Sequence, residues 1–120
     1  MKHVLIVEDD VDVLELVAEL LEEKYRVSTA LSGPAALEIL SHEPNVDCIM
    51  LDLMMPKMSG EEFARELRRR GFAMPVIVTS ARRDARHVAA QIGAHAALLK
   101  PYSCQDLMAS IDRATSLPLG

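Results

Sequence analysis

Short apolar runs and amphipathic stretches alternate along this chain from one end to the other. Val4–Val7 is an unbroken apolar run followed by acids, the pattern of a strand buried on both faces. Val13, Leu14, Val17, Leu20 and Leu21 then recur at helical spacing, which predicts a helix from Val11 to about Glu23 with Asp10 as its N-cap. Arg26–Ala30 predicts a second strand. Ser32-Gly33-Pro34 opens a helix running to about Leu40, with the proline in its first turn. Val46–Leu51 predicts the third strand. Gly60 begins a third helix, with Phe63 and Leu67 four apart and Gly71 closing it. Pro75–Thr79 predicts the fourth strand, and Arg83–Ile92 a helix stopped by Gly93. Ala96–Leu99 is a weaker fifth strand, expected mainly because the alternation requires one. Ser103–Ala114 is the last helix, with Leu107, Ile111 and Ala114 on one face.

Continuous apolar strands alternating with helices imply an α/β fold whose parallel sheet is covered on both faces. For five strands the expected arrangement is a doubly wound, flavodoxin-like sheet in the order 2-1-3-4-5. No repeat, low-complexity segment or internal linker interrupts the five βα units. A chain of 120 residues suits one domain with a substantial core. Residues 1–116 are expected to form it, with 117–120 as a tail or the start of a linker.

Composition narrows the function. Half the residues are hydrophobic, 26% are charged, and the net charge is −5. That balance fits a globular protein and speaks against direct nucleic-acid binding by this domain. Cys48 and Cys104 stand far apart, with neither a disulfide framework nor zinc-ligand spacing. The five-residue apolar run near the start is too short for a signal peptide, and no stretch has the length of a membrane span. A cytoplasmic location is expected.

In a doubly wound sheet the ligand site lies beyond the carboxyl ends of the strands, at the switch point between strands 1 and 3. Glu8, Asp9 and Asp10 follow strand 1, and Asp52 follows strand 3. Thr79 and Ser80 follow strand 4; Lys100 and Pro101 follow strand 5. Singly, each is an ordinary loop or cap residue. Their arrival at one edge under an independent topological rule favours a site. Three clustered carboxylates need a bridging cation, and oxygen-only ligation points to Mg²⁺ or a similar hard ion. Lys100 adds a point charge suited to phosphate and Ser80 a hydroxyl donor. A carboxylate nucleophile, a metal, an ammonium and a hydroxyl make a phosphoryl-transfer site in which Asp52 becomes an acyl phosphate.

The acidic pair in "LIVEDD", Asp52 in "MLDLMMPKMSG", Ser80 in "PVIVTSA" and "LLKPY" together resemble the CheY-like receiver domains of two-component response regulators, in order and spacing, over essentially the whole chain. The resemblance implies that Asp52 is the phosphoacceptor, taking its phosphoryl group from a sensor histidine kinase or a histidine phosphotransfer protein. It implies Asp9 and Asp52 as direct Mg²⁺ ligands, Glu8 acting mostly through water, and the backbone carbonyl of Met54 completing the protein's share of the shell. Lys100 contacts the phosphoryl group or the Asp52 carboxylate, and Ser80 swings in to bond a phosphoryl oxygen. The Lys100–Pro101 peptide is expected to be cis. Such a domain is a regulator rather than an enzyme, catalysing only its own phosphorylation and autodephosphorylation. It switches an output domain or target protein, of unknown identity, through the face formed by the fourth helix, fifth strand and fifth helix. A monomer or weak phosphorylation-dependent dimer is expected, without membrane contact.

The sequence also departs from that family. Ser80 replaces the usual threonine but keeps the hydroxyl. Ala97 stands where an aromatic residue is usual, so coupling is expected to run through loop movement; Tyr102 is not read as a substitute. Ala94-His95-Ala96 replaces acids associated with dimerisation through the fourth and fifth helices. Met54 and Arg82 sit where the family tunes hydrolysis, and a bulky apolar group beside a long cation predicts a slow loss of phosphate. A phosphohydrolase with an aspartyl nucleophile and a non-phosphorylated pseudo-receiver are the competing classes. The first would want an acid at Met54; the second is disfavoured by the intact Asp52, acidic pair and Lys100. A flavin module would want a glycine- and hydroxyl-rich loop after strand 1. His3, His42, His87 and His95 are read as surface or edge residues, and Cys104 as a capping or packing residue near a helix start. Arg68-Arg69-Arg70 reads as the cationic last turn of a helix, with a partner-docking patch as the alternative.

Overall fold

The computed structural model describes residues 1–116, so the expected tail at 117–120 lies outside the described residues. Five strands and five helices alternate: β1 His3–Val7, α1 Val11–Glu22, β2 Arg26–Ala30, α2 Gly33–His42, β3 Cys48–Asp52, α3 Gly60–Arg69, β4 Val76–Ser80, α4 Ala85–Gln91, β5 Ala96–Leu99 and α5 Cys104–Ser116. The strands form one parallel sheet in the order β2-β1-β3-β4-β5, as the alternation predicts.

The pleat divides the core into two layers. Leu5, Val7, Ile49, Leu51, Val76 and Val78 pack with residues of α2, α3 and α4 on one face. Their neighbours Val4, Ile6, Cys48, Met50 and Ile77 pack with Leu14, Val17, Leu21, Leu107 and Ile111 of α1 and α5 on the other. Successive strand residues face opposite ways, so a strand between two helix layers must be apolar throughout. That is why β1, β3 and β4 read as unbroken runs.

Helix ends follow their capping chemistry. The Asp10 carboxylate accepts the N–H groups of Asp12 and Val13, and Ser32 caps α2 through the Ala35 N–H. Ser59 and Glu62 form a reciprocal capping box on α3. Gly71, at φ +88, closes α3, with its own N–H on the Arg68 carbonyl and the Phe72 N–H on that of Leu67.

Several boundaries and one residue differ from the sequence expectation. β3 starts at Cys48, because Asp47 exchanges bonds with the His3 backbone ahead of the ladder, its N–H to the carbonyl and its carboxylate to the N–H. β4 runs through to Ser80. α4 starts at Ala85 rather than Arg83: the Arg82 N–H is held by Ser80 Oγ, and the Asp84 carboxylate, taken by the Arg82 guanidinium, makes no cap bond. His3 is buried, not a surface or edge residue; its Nε2 lies 2.7 Å from Ser28 Oγ and 3.5 Å from the Glu43 carboxylate. Period-two burial carried it inside because β1 begins one residue earlier than its apolar run.

A contact without any local signal ties α5 down. The buried Tyr25 hydroxyl donates to Asp112 at 2.5 Å, and Lys24 Nζ reaches the same carboxylate at 2.6 Å. Gly60 lies against backbone. A Cβ there would come within 2.8 Å of the Leu53 Cα, which leads out of β3. Gly60→Ala is expected to destabilise the protein by about 1–3 kcal/mol through this overpacking; urea unfolding of both proteins checks it.

Candidate functional site

The register between β1 and β3 builds the site. Val7 is paired with Leu51, so one further step along two parallel strands sets Glu8 beside Asp52. Both follow residues of the α1–α5 layer at period two, Ile6 and Met50, and so turn to the same side. Each is only 4% exposed. Lys100 follows Leu98 of that layer in the same way. Its Nζ lies 3.2 Å from Glu8 Oε1 and 3.4 Å from Asp52 Oδ2. Asp9 completes the group: one carboxylate oxygen from each of Glu8, Asp9 and Asp52 lies within 4.8 Å of the others. The Met54 N–H donates to Asp52 Oδ1 at 3.0 Å and the Asp10 N–H to Glu8 Oε2 at 3.2 Å.

The electrostatics follow from burial. Loss of water, then the neighbouring Asp52, pushes the Glu8 carboxyl up to about 7. Burial pulls the Lys100 ammonium down, but Asp52 and Glu8 together outweigh it and hold it above its ordinary value. One ammonium among three carboxylates leaves a negative site made of oxygen donors, with two of the three carboxylates shielded from water. That donor set fits a hard divalent cation such as Mg²⁺, which Glu8, Asp9 and Asp52 could hold.

Ser80 stands at the same sheet edge but faces elsewhere. It follows Val76 and Val78 of the other layer, and its Oγ accepts the Arg82 N–H at 3.1 Å. The Arg82 guanidinium is clamped between Glu61, at 3.1 Å, and Asp84, at 2.8 Å. Glu61 had no sequence signal, because its partner is 21 residues away. The Met54 side chain is 58% exposed at the mouth of the site. The turn that follows contains Lys57 at φ +67, with the Met58 N–H on the Pro56 carbonyl. The Lys100–Pro101 peptide is cis. Structure thus brings Glu8, Asp9, Asp52 and Lys100 together, sets the Met54 backbone against Asp52, and leaves the Ser80 hydroxyl, at the end of β4, bonded to the adjoining loop.

The response regulator receiver domain family has a model that matches residues 4–112, from β1 to within α5. The chain belongs to this family. Among curated proteins, this receiver domain is 32% identical over 115 residues to the response regulator SaeR of Staphylococcus aureus, a match covering 93% of this chain and 50% of SaeR. It therefore spans about half the length of the curated relatives it matches. A receiver domain structure from Clostridium thermocellum superposes with a TM-score of 0.89 at 30% identity, covering 96% of this chain and 94% of that one. The chemotaxis protein CheY4 of Vibrio cholerae gives 0.86 at 27%, covering 95% and 98%. The Thermotoga maritima response regulator DrrB gives 0.79 at 29%, covering 94% of this chain and 52% of DrrB.

Within this receiver, Ala97 and Tyr102 lie on opposite layers. Ala97 packs with the α2–α4 layer and Tyr102 with the α1–α5 layer, so the ring of Tyr102 does not occupy the space beside Ala97.

The Glu8 shift makes a stability prediction for metal-free protein. A carboxyl raised from 4.5 to about 7 on folding contributes stability that is complete below pH 4.5 and is lost as pH rises through 7. Glu8→Gln, which cannot ionise, is expected to be more stable than the parent at pH 8 in EDTA, by on the order of 2 kcal/mol. The gain shrinks as pH falls from 7 to 4.5. Thermal melts across that window check it; a gain independent of pH would contradict it.

Proposed function

We propose that residues 1–116 form a phosphorylation-controlled switch in which Asp52 is the phosphoacceptor. The observation that carries this is a buried carboxylate at a strand end, with a backbone N–H on one oxygen and the Lys100 ammonium 3.4 Å from the other. An Asp52 carboxylate oxygen attacks the phosphorus of a phosphohistidine on a sensor histidine kinase or histidine phosphotransfer protein. The P–O bond forms as the P–N bond breaks, the imidazole leaves with the electron pair, and Asp52 becomes an acyl phosphate. Lys100 balances charge on the transferred group. Asp9, Asp52, the Met54 carbonyl and, through water, Glu8 would hold Mg²⁺. When bound, Mg²⁺ neutralises phosphoryl charge.

The surroundings support the reading. The α1–α5 side beside Lys100 carries an apolar groove of about 560 Å³ lined by Val13, Leu16, Leu20, Pro101, Tyr102 and Leu107. Leu16 and Leu20 are 60% and 42% exposed. An apolar helix of a phosphodonor fits there, next to the acceptor. Ser80, at the end of β4, can turn its hydroxyl to a phosphoryl oxygen on giving up the Arg82 N–H of the following loop. That movement pulls on α4, only seven residues long and lacking a side-chain cap, and alters the α4–β5–α5 face read by an output domain or target protein. Ala97 lines a hollow beside α4 with Ala89, Ala90 and Ala94, so the loop rather than an aromatic rotamer carries the signal. The domain works as a cytoplasmic regulator with no other substrate, a monomer or weak phosphorylation-dependent dimer, and binds neither membrane nor nucleic acid itself.

Incubation with Mg²⁺ and a small phosphodonor is expected to add one phosphoryl group to the intact mass, and none to Asp52→Ala. Continuing turnover of phosphate esters would indicate a hydrolase instead, and no modification by any donor a binding-only domain. The acyl phosphate is expected to persist for minutes or longer, because the bulky apolar Met54 and the long cation Arg82 hinder an attacking water. Decay of the phosphorylated mass after donor removal measures this; loss within seconds would contradict it.

A further inference from the structure

Charge is unevenly divided along the chain. Residues 57–86 carry eight Lys and Arg against four Asp and Glu, while the rest carries five against fourteen. The α3–β4–α4 segment is therefore net +4 and the remainder net −9. Part of the excess meets in one place. Glu61, Ala64, Arg65, Arg68, Arg69 and Ile92 line a groove of about 820 Å³ between α3 and α4. Its floor is apolar, with Ala64 buried and Ile92 partly so.

The three arginines are engaged differently. Arg68 is structural: its Nη1 donates to the carbonyls of Phe72 and Met74, both at 3.0 Å. Arg69 leans on Glu66, its Nε 2.8 Å from the carboxylate. Arg65 is exposed and makes no ion pair among the described residues. The groove thus offers one free guanidinium, one held only by an exposed pair, and an apolar floor between them.

We infer that this groove docks an acidic amphipathic segment of a partner protein. Apolar side chains of that segment rest on Ala64 and Ile92, and its carboxylates meet Arg65 and Arg69. Charge complementarity favours such a ligand over a nucleic acid. Screening confines the patch's field to about 8–10 Å at ordinary ionic strength, and the molecule is 27–31 Å across. A short acidic segment feels only the patch, whereas a long polyanion also meets the negative remainder.

The groove is wired to the site. Glu61 at its edge accepts Arg82 Nη1 at 3.1 Å, and the Arg82 backbone N–H donates to Ser80 Oγ at 3.1 Å. On the reading of Asp52 as phosphoacceptor, moving Ser80 to the phosphoryl group breaks the second bond and loosens the first. Glu61 then presents an uncompensated carboxylate to an acidic ligand, so phosphorylation weakens docking.

The test titrates the isotope-labelled chain with a short synthetic peptide rich in glutamate, with leucines at i and i+4. Expected are amide shifts confined to Gly60–Arg69, Ala85–Gln91 and Ile92, which high salt abolishes. Arg65→Glu with Arg69→Glu is expected to weaken binding about tenfold or more. Arg65→Lys with Arg69→Lys retains most of it, and thermal melts show that both variants fold. Absence of shifts, shifts centred on the α1–α5 groove, or tighter binding of a short oligonucleotide at the same residues would overturn the proposal. Repeating the titration after phosphodonor treatment is expected to show about threefold weaker binding. Intact mass separates the two readings. A chain that takes no phosphoryl group sinks the assignment of Asp52 while the groove result stands. A phosphorylated chain that binds the peptide unchanged sinks the coupling.

Discussion

Two carboxylates lie side by side in this protein where almost no water reaches them, and the rest of the structure is arranged around that cost. Glu8 and Asp52 come together because β1 and β3 are adjacent, parallel and in a register that pairs Val7 with Leu51. Buried like charges strongly disfavour joint ionisation. The opposition is met by one ammonium, two backbone N–H groups and a raised Glu8 pKa. Even so, the site is short of positive charge, which is what makes it receptive to a divalent cation. Lys100 must arrive from β5, at one edge of the sheet, so β4 and β5 have to be in place beside β3 before the pair is tolerable. Gly60 belongs to the same constraint: only a residue without a Cβ lets α3 start against Leu53, directly after Asp52.

Much of this was legible in the sequence because each strand's apolar content and each helix's spacing report burial directly. The sheet order followed from the alternation, and the clustering of Glu8, Asp9, Asp52 and Lys100 from the rule that parallel sheets present their carboxyl ends at one edge. What the sequence hid has common physical causes. Ser80 was grouped with the acids by position along the chain, but the pleat gives it the opposite facing. The late start of α4 depends on competition for the Asp84 carboxylate, which Arg82 wins. The Tyr25–Asp112 bond and the Arg82–Glu61 pair join residues 87 and 21 apart. Local patterns carry no trace of such pairs. His3 shows the remaining limit: a polar side chain at the first position of a strand is ambiguous until its partners Ser28 and Glu43 are in view.

The site joins rigid parts to adjustable ones. Glu8, Asp52 and their neighbours are fixed by ladders on both sides and by a packed layer beneath. The segment from Ser80 to Asp84 is fixed by a handful of polar bonds, one of them to Ser80 itself. Such bonds exchange readily for others of similar strength, whereas core packing does not. On the reading of Asp52 as phosphoacceptor, a charge added there would have one compliant neighbour, and the response would travel where the loop is attached: to α4 through the backbone and to α3 through Glu61.

That branching bears on how one small domain could serve more than one partner. The apolar α1–α5 side adjoins the carboxylate pair, while the basic α3–α4 groove lies across the sheet, with a separate packed layer between it and the strands. Surfaces on opposite layers do not compete for space. A phosphodonor on α1 would leave the groove open, and an acidic segment in the groove would leave Asp52 reachable. Any influence of one on the other must pass through the sheet edge, and there one polar chain connecting them runs from the Lys100 backbone to Ser80, Ser80 to Arg82 and Arg82 to Glu61. The opposite charges of the two sides make the same point energetically. A partner drawn to the positive groove would be repelled by the acidic α1 side, so the fold would sort partners before any contact is made.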